Sequence, residues 1–414
     1  MSKSRKRQQK VLWILLLGTV ALAGIFAVWL IKTTAADVRK YEHAVIKESR
    51  PGAEAGSTES SRPGLEIVSE ESTVSEITIL TEDGPFWESQ VQENQTQDSQ
   101  AVELLFGGDV LLSDHVLAAY EKSGGIGGVV GPGYLEEIRN ADIFMVNQEF
   151  PFSDRGEKAE DKQYTFRLPP AKVSIFQEMG IDIVTLANNH ALDFGTDALL
   201  DTCKTLDEAG ILRVGAGTFE EAKRWQTIEA GGKKIGFLGA TRVIPVADWA
   251  ATAYSAGMLA TYDPTILLEQ IRAAKAVNDY VVVYVHWGIE REEYPKEYQK
   301  TLGHQYIDAG ADLVIGSHPH VLQGIEYYNG KPIVYSLGNF VFGSSIPKTM
   351  LLKVRLEGDR AVLTVLPGTS SAGYTRELTE EKEKQEFYQY LEGISSVSID
   401  ENGAVKIPLD KSTK

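Results

Sequence analysis

The stretch Leu313-Val314-Ile315-Gly316-Ser317-His318-Pro319-His320 sets the reading of the whole chain. An apolar run closed by a glycine has the pattern of a short buried strand. Gly316 permits a sharp turn, while Pro319 fixes its own φ and removes a backbone donor. A stiff loop at a strand end is a suitable mount for two imidazoles, because metal ligands must be held in place. One turn-exposed and one packed histidine is the plainer reading of such a pair. It loses ground because four other strand ends in this chain also carry ligand-type side chains.

Upstream, residues 280–285 are wholly apolar and end in His286-Trp287-Gly288. Helices are predicted on either side, at 264–277 and 296–309, the second stopped by Gly310. A strand over 181–186 ends in Ala187-Asn188-Asn189-His190, between helices at 171–179 and 195–209. A helix over 134–140 leads to a strand at 143–146 that ends in Asn147-Gln148-Glu149. The strand at 103–106 leads into Gly107-Gly108-Asp109-Val110, and that at 332–337 into Gly338-Asn339-Phe340. Apolar strands alternating with helices predict an α/β protein with sheet covered on both faces. In such sheets functional loops gather at the carboxyl ends of the strands. Hairpins at Gly231-Gly232 and near Gly358 break the alternation, so the sheet is mixed or there are two sheets. A last helix is expected over 380–392, with Thr379 as its N-cap.

Charge narrows the function classes. The 414 residues hold 41 Lys and Arg against 58 Asp and Glu, a net charge of −17. This argues against a nucleic-acid partner, which calls for a basic face. An anionic substrate would need local cations, since the protein as a whole repels it. The one cysteine, Cys203, permits no internal disulfide, and its helical neighbours Leu199 and Leu206 mark it as a small buried apolar residue. Residues 1–10 are basic, and residues 11–31 carry no charge. That run is long enough to span a bilayer, with the N-terminus inside and the rest outside. An uncleaved anchor is expected over a signal peptide, whose apolar region is shorter. Residues 51–100 contain eleven acidic side chains and one basic. Such a segment buries too little apolar area to fold, so 32–100 is expected to be a disordered stalk with at most a short strand in 65–79. The main domain is expected over 101–370, followed by a C-terminal helix and tail, 371–414.

The strand-end side chains are Asp109, Glu149, Asn189, His190, His286, His318 and His320. Two carboxylates, an amide oxygen and three or four imidazoles suit one or two divalent ions. Mixed oxygen and nitrogen donors without thiolate point to Mn, Fe or Zn. A bridging carboxylate can hold two ions roughly 3.5–4 Å apart, leaving one imidazole to donate a proton. The same residues have plainer readings: Asp109 as a helix cap, Glu149 as a surface carboxylate, Asn189 as a turn residue, His286 as a hydrogen-bonded core histidine. Arg167 could clamp a carboxylate or phosphate in bidentate fashion, or form a surface ion pair. His115 and His304 lie on helical patterns away from strand ends. Trp287 and Phe340 are expected to pack.

Together, the six motifs Gly108-Asp109-Val110, Asn147-Gln148-Glu149, Ala187-Asn188-Asn189-His190, His286-Trp287-Gly288, Gly316-Ser317-His318-Pro319-His320 and Leu337-Gly338-Asn339-Phe340 resemble the CapA/PgsA family of capsule and poly-γ-glutamate synthesis proteins, within the calcineurin-like metallophosphoesterases. The resemblance covers about 102–345. It implies a four-layer α/β/β/α sandwich behind a membrane anchor, with the main domain outside the cell. It implies Asp109 and His320 as ligands of one metal, Glu149 as the bridge, Asn189, His286 and His318 as ligands of a second, and His190 as proton donor. Arg167, Asn188 and Asn339 would contact substrate. An anionic capsule polymer and other membrane proteins of capsule synthesis are the implied partners. The motif order departs from ordinary metallophosphoesterases at position 111, where Leu replaces a ligand His. A supporting role in polymer synthesis, transport or trimming, hydrolysis of a phosphoester or amide, and a non-catalytic scaffold all remain compatible with that departure.

Overall fold

In the computed structural model, residues 101–407 are described, apart from 161, 344 and 359. The expected anchor, the stalk and the strand in 65–79 lie outside the described residues. Among the described residues no helix is long and apolar enough to cross a membrane.

The strands form two mixed sheets. The first runs in the order β16 (Tyr374–Glu377), β15 (Arg360–Ser371), β14 (Ser345–Glu357), β1 (Val102–Val110), β2 (Ile143–Gln148), β3 (Ile183–Thr185) and β4 (Leu212–Val214), with β13 (Asn339–Val341) paired to the end of β1. β1 to β4 are parallel, and the other side of β1 is an antiparallel meander. The second sheet runs β11 (Leu322–Tyr328), β12 (Lys331–Leu337), β10 (Leu313–Ser317), β9 (Tyr280–His286), β7 (Lys233–Thr241) and β6 (Gln226–Ala230). Its four inner strands are parallel, and each edge is closed by an antiparallel partner. Two-residue ladders pair β5 (Ala216–Gly217) with β8 (Gly257–Met258) and β17 (Ser398–Ile399) with β18 (Val405–Lys406).

Strand parity explains the layers. Side chains alternate faces along a strand, so a strand with no polar face must serve two cores. In β9, Val282 and Tyr284 join Leu104, Phe106, Met145 and Ile183 of the first sheet in a core between the sheets. Their neighbours Val281, Val283 and Val285 pack outward against Leu267 and Ile271 of α6 (Thr265–Lys275) and Leu302 and Tyr306 of α7 (Glu297–Asp308). The first sheet does the same. Leu105, Phe144, Val146 and Val184 pack against α1 (Asp114–Ser123), α2 (Pro132–Asn140), α3 (Val173–Met179) and α4 (Gly195–Ala209). The result is helices, sheet, sheet, helices, and each fully buried aliphatic side chain in it contributes about 1.5–3 kcal/mol. The short α5 (Phe219–Lys223) carries a capping box from Thr218 to Glu221. α8 (Glu381–Gly393) inserts Phe387, Tyr388 and Leu391 into the core between the sheets, so the segment after 370 is part of the same core.

The layers bring the carboxyl ends of both sheets to one place. Asp109, Asn147 and Thr185 are level across β1, β2 and β3, and Thr241, His286 and Ser317 are level across β7, β9 and β10. Just below, the Tyr284 hydroxyl donates to the Gly107 carbonyl at 2.8 Å and joins the sheets. Position 108 must be glycine, because a Cβ there would lie 1.9 Å from the Gly338 oxygen. Some boundaries differ from the pattern. The strand expected over 181–186 shortens to β3, because Asp182 instead accepts from the Phe144 N–H at 2.8 Å. Glu380, not Thr379, holds the N-cap position of α8, without a side-chain cap bond.

Candidate metal centre

Asp109 ends its run inside β1 rather than capping a helix, and it is fully buried. Its Oδ1 accepts from the Asn147 amide at 2.8 Å, and its Oδ2 accepts from the His318 backbone N–H at 3.3 Å. Glu149 is fully buried too, which removes the surface-carboxylate reading. Both of its oxygens lack any hydrogen-bond donor. His286 Nε2 lies 2.8 Å from the Asn189 amide oxygen and 3.8 Å from Glu149 Oε1. Its Nδ1 is 3.0 Å from the Ser317 hydroxyl. The His318 ring centroid lies 4.7 Å from that of His286, and the His318 Nδ1 is buried without a partner. His320 Nδ1 lies 2.8 Å from Asn339 Oδ1 and 3.4 Å from Asp109 Oδ2. Asn188 donates to Asn147 Oδ1 at 3.0 Å and to the Gln148 carbonyl at 2.7 Å, and its own oxygen accepts from the His190 N–H. Asn188 therefore ties the loop after β3 to the end of β2.

The backbone of the opening motif is strained. His318 has φ of 96° and His320 φ of 58°, a region that costs a residue with a Cβ of order 1–3 kcal/mol and recurs at functional sites. The electrostatics match. Burial, reinforced by Asp109, drives the Glu149 carboxyl well above its ordinary range. Burial and the charge on His320 push His318 down to about 4, and the same causes with His318 added hold His286 well below its ordinary range. Burial opposes the charged form of His320 as well, but Glu149, the bond to Asp109 and the Asn339 oxygen outweigh it and raise His320 to about 10. His286 and His318 are thus held in the neutral form that binds a cation, whereas Glu149 and His320 must give up protons to do so.

The ligand atoms fall into two groups, Glu149–His286–His318 and Asp109–Glu149–His320, each with its atoms within 4.8 Å of one another. Glu149 belongs to both. The donor set thus fits two divalent ions sharing one carboxylate, with Asn189 beside the first group. Leu111 supplies no imidazole: it packs in the apolar cluster under the helices of the first sheet.

A family described as "Bacterial capsule synthesis protein PGA_cap" matches residues 103–344, more than half of the chain. The chain belongs to this family. It is 32% identical over 307 residues to "Capsule biosynthesis protein CapA" of Bacillus anthracis, covering 71% of this chain and 74% of that protein. It is 33% identical over 266 residues to "PGA biosynthesis protein CapA" of Bacillus subtilis (strain 168), covering 63% and 69%. Among solved structures, the crystal structure of a hypothetical protein from Thermus thermophilus aligns with a TM-score of 0.39 at 18% identity, over 67% of this chain and 100% of that one.

For this family member the structure adds residues that the motifs did not single out. His190 stands apart from the two ligand groups. Its Nδ1 lies 2.7 Å from Asp193 Oδ2 and 2.9 Å from Lys162 Nζ, which leaves Nε2 for proton transfer. Asp193 is fully buried and also accepts from Lys162 and, at 2.7 Å, from the Phe166 N–H. Burial lowers both His190 and Lys162 from their ordinary values, with Asp193 opposing the shift in each. The spacing of Asp193 from His190 was the available signal. Lys162 comes from a loop, where no periodicity marks it. Arg167 does not reach the centre. It donates to the carbonyls of Arg155 and Gly156 at 2.9 and 3.2 Å and lies over the Phe194 ring, so it braces a surface loop. His115 is exposed, and His304 stacks on Tyr328 and pairs with Glu326. Trp287 donates to the Tyr335 carbonyl between two stacked tyrosines, and Phe340 packs on Tyr134 and Phe144. Cys203 is buried, and burial lifts its thiol to about 12.

Proposed function

We propose that this chain is a membrane-tethered, outward-facing capsule protein whose pocket holds one or two divalent ions, Mn, Fe or Zn, and acts on an anionic polymer such as poly-γ-glutamate. The observation that carries the reading is the sharing of Glu149 between two ligand groups. Supporting it are the buried oxygens of Glu149 and the buried Nδ1 of His318, none of which has a hydrogen-bond partner among the described residues. Leaving such groups unmet costs about 1–3 kcal/mol each, a cost that cation binding relieves. The two-sheet architecture supports a metallophosphoesterase type of fold. The uncharged run 11–31 behind a basic N-terminus supports the tether and its direction. The names of the Bacillus relatives support the polymer.

Asp109, Glu149 and His320 would hold one ion, and Glu149, His286 and His318, with the Asn189 oxygen, the other. Bound there, divalent ions supply Lewis-acid polarisation of a carbonyl or phosphoryl oxygen. The chain's own part is positional and protonic. Asn147 and the His318 N–H fix Asp109 so that its carboxylate cannot rotate. Ser317 holds the Nδ1 side of His286 and turns Nε2 toward Glu149. Asp193 and Lys162 fix the His190 ring from its Nδ1 side, and Nε2 is the atom that gives or takes a proton at the substrate.

The test is elemental analysis of the purified full-length chain, beside His318→Ala/His320→Ala. The wild type is expected to carry stoichiometric divalent metal and the double variant none. A metal-free wild type that stays metal-free after incubation with Mn, Fe and Zn would end the reading. Capsule output from cells carrying Glu149→Gln or His190→Gln then separates a working centre from a scaffold, since a scaffold would keep full output with either variant.

A further inference from the structure

We propose that Arg242, at the carboxyl end of β7, is the clamp for a carboxylate of the polymer. The inference rests on the anionic-polymer reading above. β7 ends at Thr241, level with His286, and the next residue is Arg242. Its backbone N–H donates to the His286 carbonyl at 2.8 Å, so its side chain is rooted one peptide past a strand end that faces the centre.

Two tyrosine rings lie against the guanidinium. Its central carbon lies 4.0 Å from the Tyr262 ring centroid and 5.4 Å from that of Tyr298. Tyr298 is itself fixed, its hydroxyl accepting from the Gly288 N–H at 2.9 Å and donating to the Gly288 carbonyl at 3.1 Å. Stacking uses the planar faces of a guanidinium, whereas its N–H donors point outward in the plane. The two tyrosines hold the guanidinium without using its N–H donors, and a carboxylate is the anion whose two oxygens match such a fork.

Among the described residues the guanidinium has no hydrogen-bond acceptor. Among the described residues no carboxylate lies within ion-pair distance of Arg242, and its Nη1 is buried without an acceptor. Arg213, the other arginine held largely out of solvent, shows the alternative: it is bonded twice to Asp207, at 3.0 Å each, and to Glu221 at 2.7 Å. In a chain with 58 acidic residues, a partly buried arginine with an idle edge marks a place kept for an outside anion. The surroundings suit an extended ligand. The exposed tyrosines Tyr164, Tyr254, Tyr262 and Tyr294 all lie in segments that follow the carboxyl ends of β2, β7 and β9. A cation there also answers the charge problem, since a polyanion approaching a protein of net −17 needs a local positive contact.

The test uses the full chain in detergent, loaded with Mn, and three fluorescent oligomers: γ-linked glutamate, its α-carboxamide (γ-linked isoglutamine) analogue, and glycerol phosphate. Arg242→Gln is expected to weaken binding of the glutamate oligomer at least tenfold. Arg242→Lys should weaken it by a smaller factor, because the charge stays and the fork is lost. The isoglutamine oligomer should bind weakly and equally to all three proteins. Metal content and the thermal shift on adding Mn should match wild type in both variants, which excludes misfolding. Glutamate-oligomer binding that survives Arg242→Gln overturns the clamp alone and leaves the polymer reading standing. Wild type that holds only the phosphate oligomer, through Arg242, overturns the carboxylate assignment. Metal-loaded wild type that binds no oligomer overturns clamp and polymer reading together.

Discussion

Two buried carboxylates, at opposite ends of the strands, show what separates a structural charge from a working one. Asp312 precedes β10 at the amino end and is fully met. Its Oδ1 accepts from Lys331 at 2.8 Å, and its Oδ2 from Lys275 at 2.7 Å and from the Val281 N–H at 2.9 Å. Glu149 follows β2 at the carboxyl end, and both its oxygens are buried with no donor at all. The fold supplies three donors to one carboxylate and withholds all of them from the other. Burial of an ionisable group is therefore not the mark of function here; the missing partner is.

The largest expected effect is on metal-linked stability. At a free Mn concentration of 1,000 times the dissociation constant, each filled site should stabilise the chelator-treated protein by about 4 kcal/mol. Denaturant titration should show this gain in wild type and in Asp312→Asn, and its loss in Glu149→Ala. No gain in wild type would erase the contrast between the two carboxylates.

Next comes pH. An unfolded histidine takes up its proton near 6.5, while folded His318 resists until about 4. Its folded value is depressed, so its contribution to stability is complete above pH 6.5 and is lost as pH falls toward 4. His286 shifts in the same direction. For His318 alone the loss is on the order of 3 kcal/mol. Chelated wild type should therefore weaken from pH 7 to 4.5 more steeply than His286→Gln/His318→Gln, as followed by urea melts. Parallel profiles would show that these imidazoles are not held neutral.

Asp312→Asn should cost about 1–3 kcal/mol, because it weakens a satisfied carboxylate that holds two ammonium groups and a strand N–H. Metal stoichiometry should not change. The smallest effect sharpens the comparison most. In chelated protein Glu149→Gln should change stability by less than about 1 kcal/mol or raise it, since it replaces a buried carboxyl to which nothing donates a hydrogen bond. A loss as large as that of Asp312→Asn would mean that Glu149 has partners of its own.

Much of this was legible in the sequence because it followed from period and punctuation. Unbroken apolar runs at 280–285 and 313–315 can only be strands covered on both sides, and each ends in a ligand-type residue. The centre was readable for the same reason: Asp109, Glu149, Asn189, His286, His318 and His320 gather at the carboxyl ends of two sheets. What escaped comes from elsewhere. Lys162 and Arg242 are common residue types whose significance depends on the path of a loop, and no local pattern encodes that path. Arg167 was ambiguous because a cation in a polar loop reads alike whether it faces a ligand or, as its Nη1 does here, two carbonyls. The choice between one mixed sheet and two depended on which apolar strands face each other, a long-range fact carried by the contacts of Phe106, Tyr284 and Ile315.

The place of β14 has a consequence for lineage and engineering. The match to the capsule family runs over residues 103–344, and β14, which begins at Ser345, is the antiparallel neighbour of β1 through Val102–Phe106. α8 then closes the space between the sheets. The matched stretch and the packed core are thus different lengths of chain. A gene fragment cut to the matched stretch would keep every ligand and leave β1 with a raw edge, open to pairing with other chains.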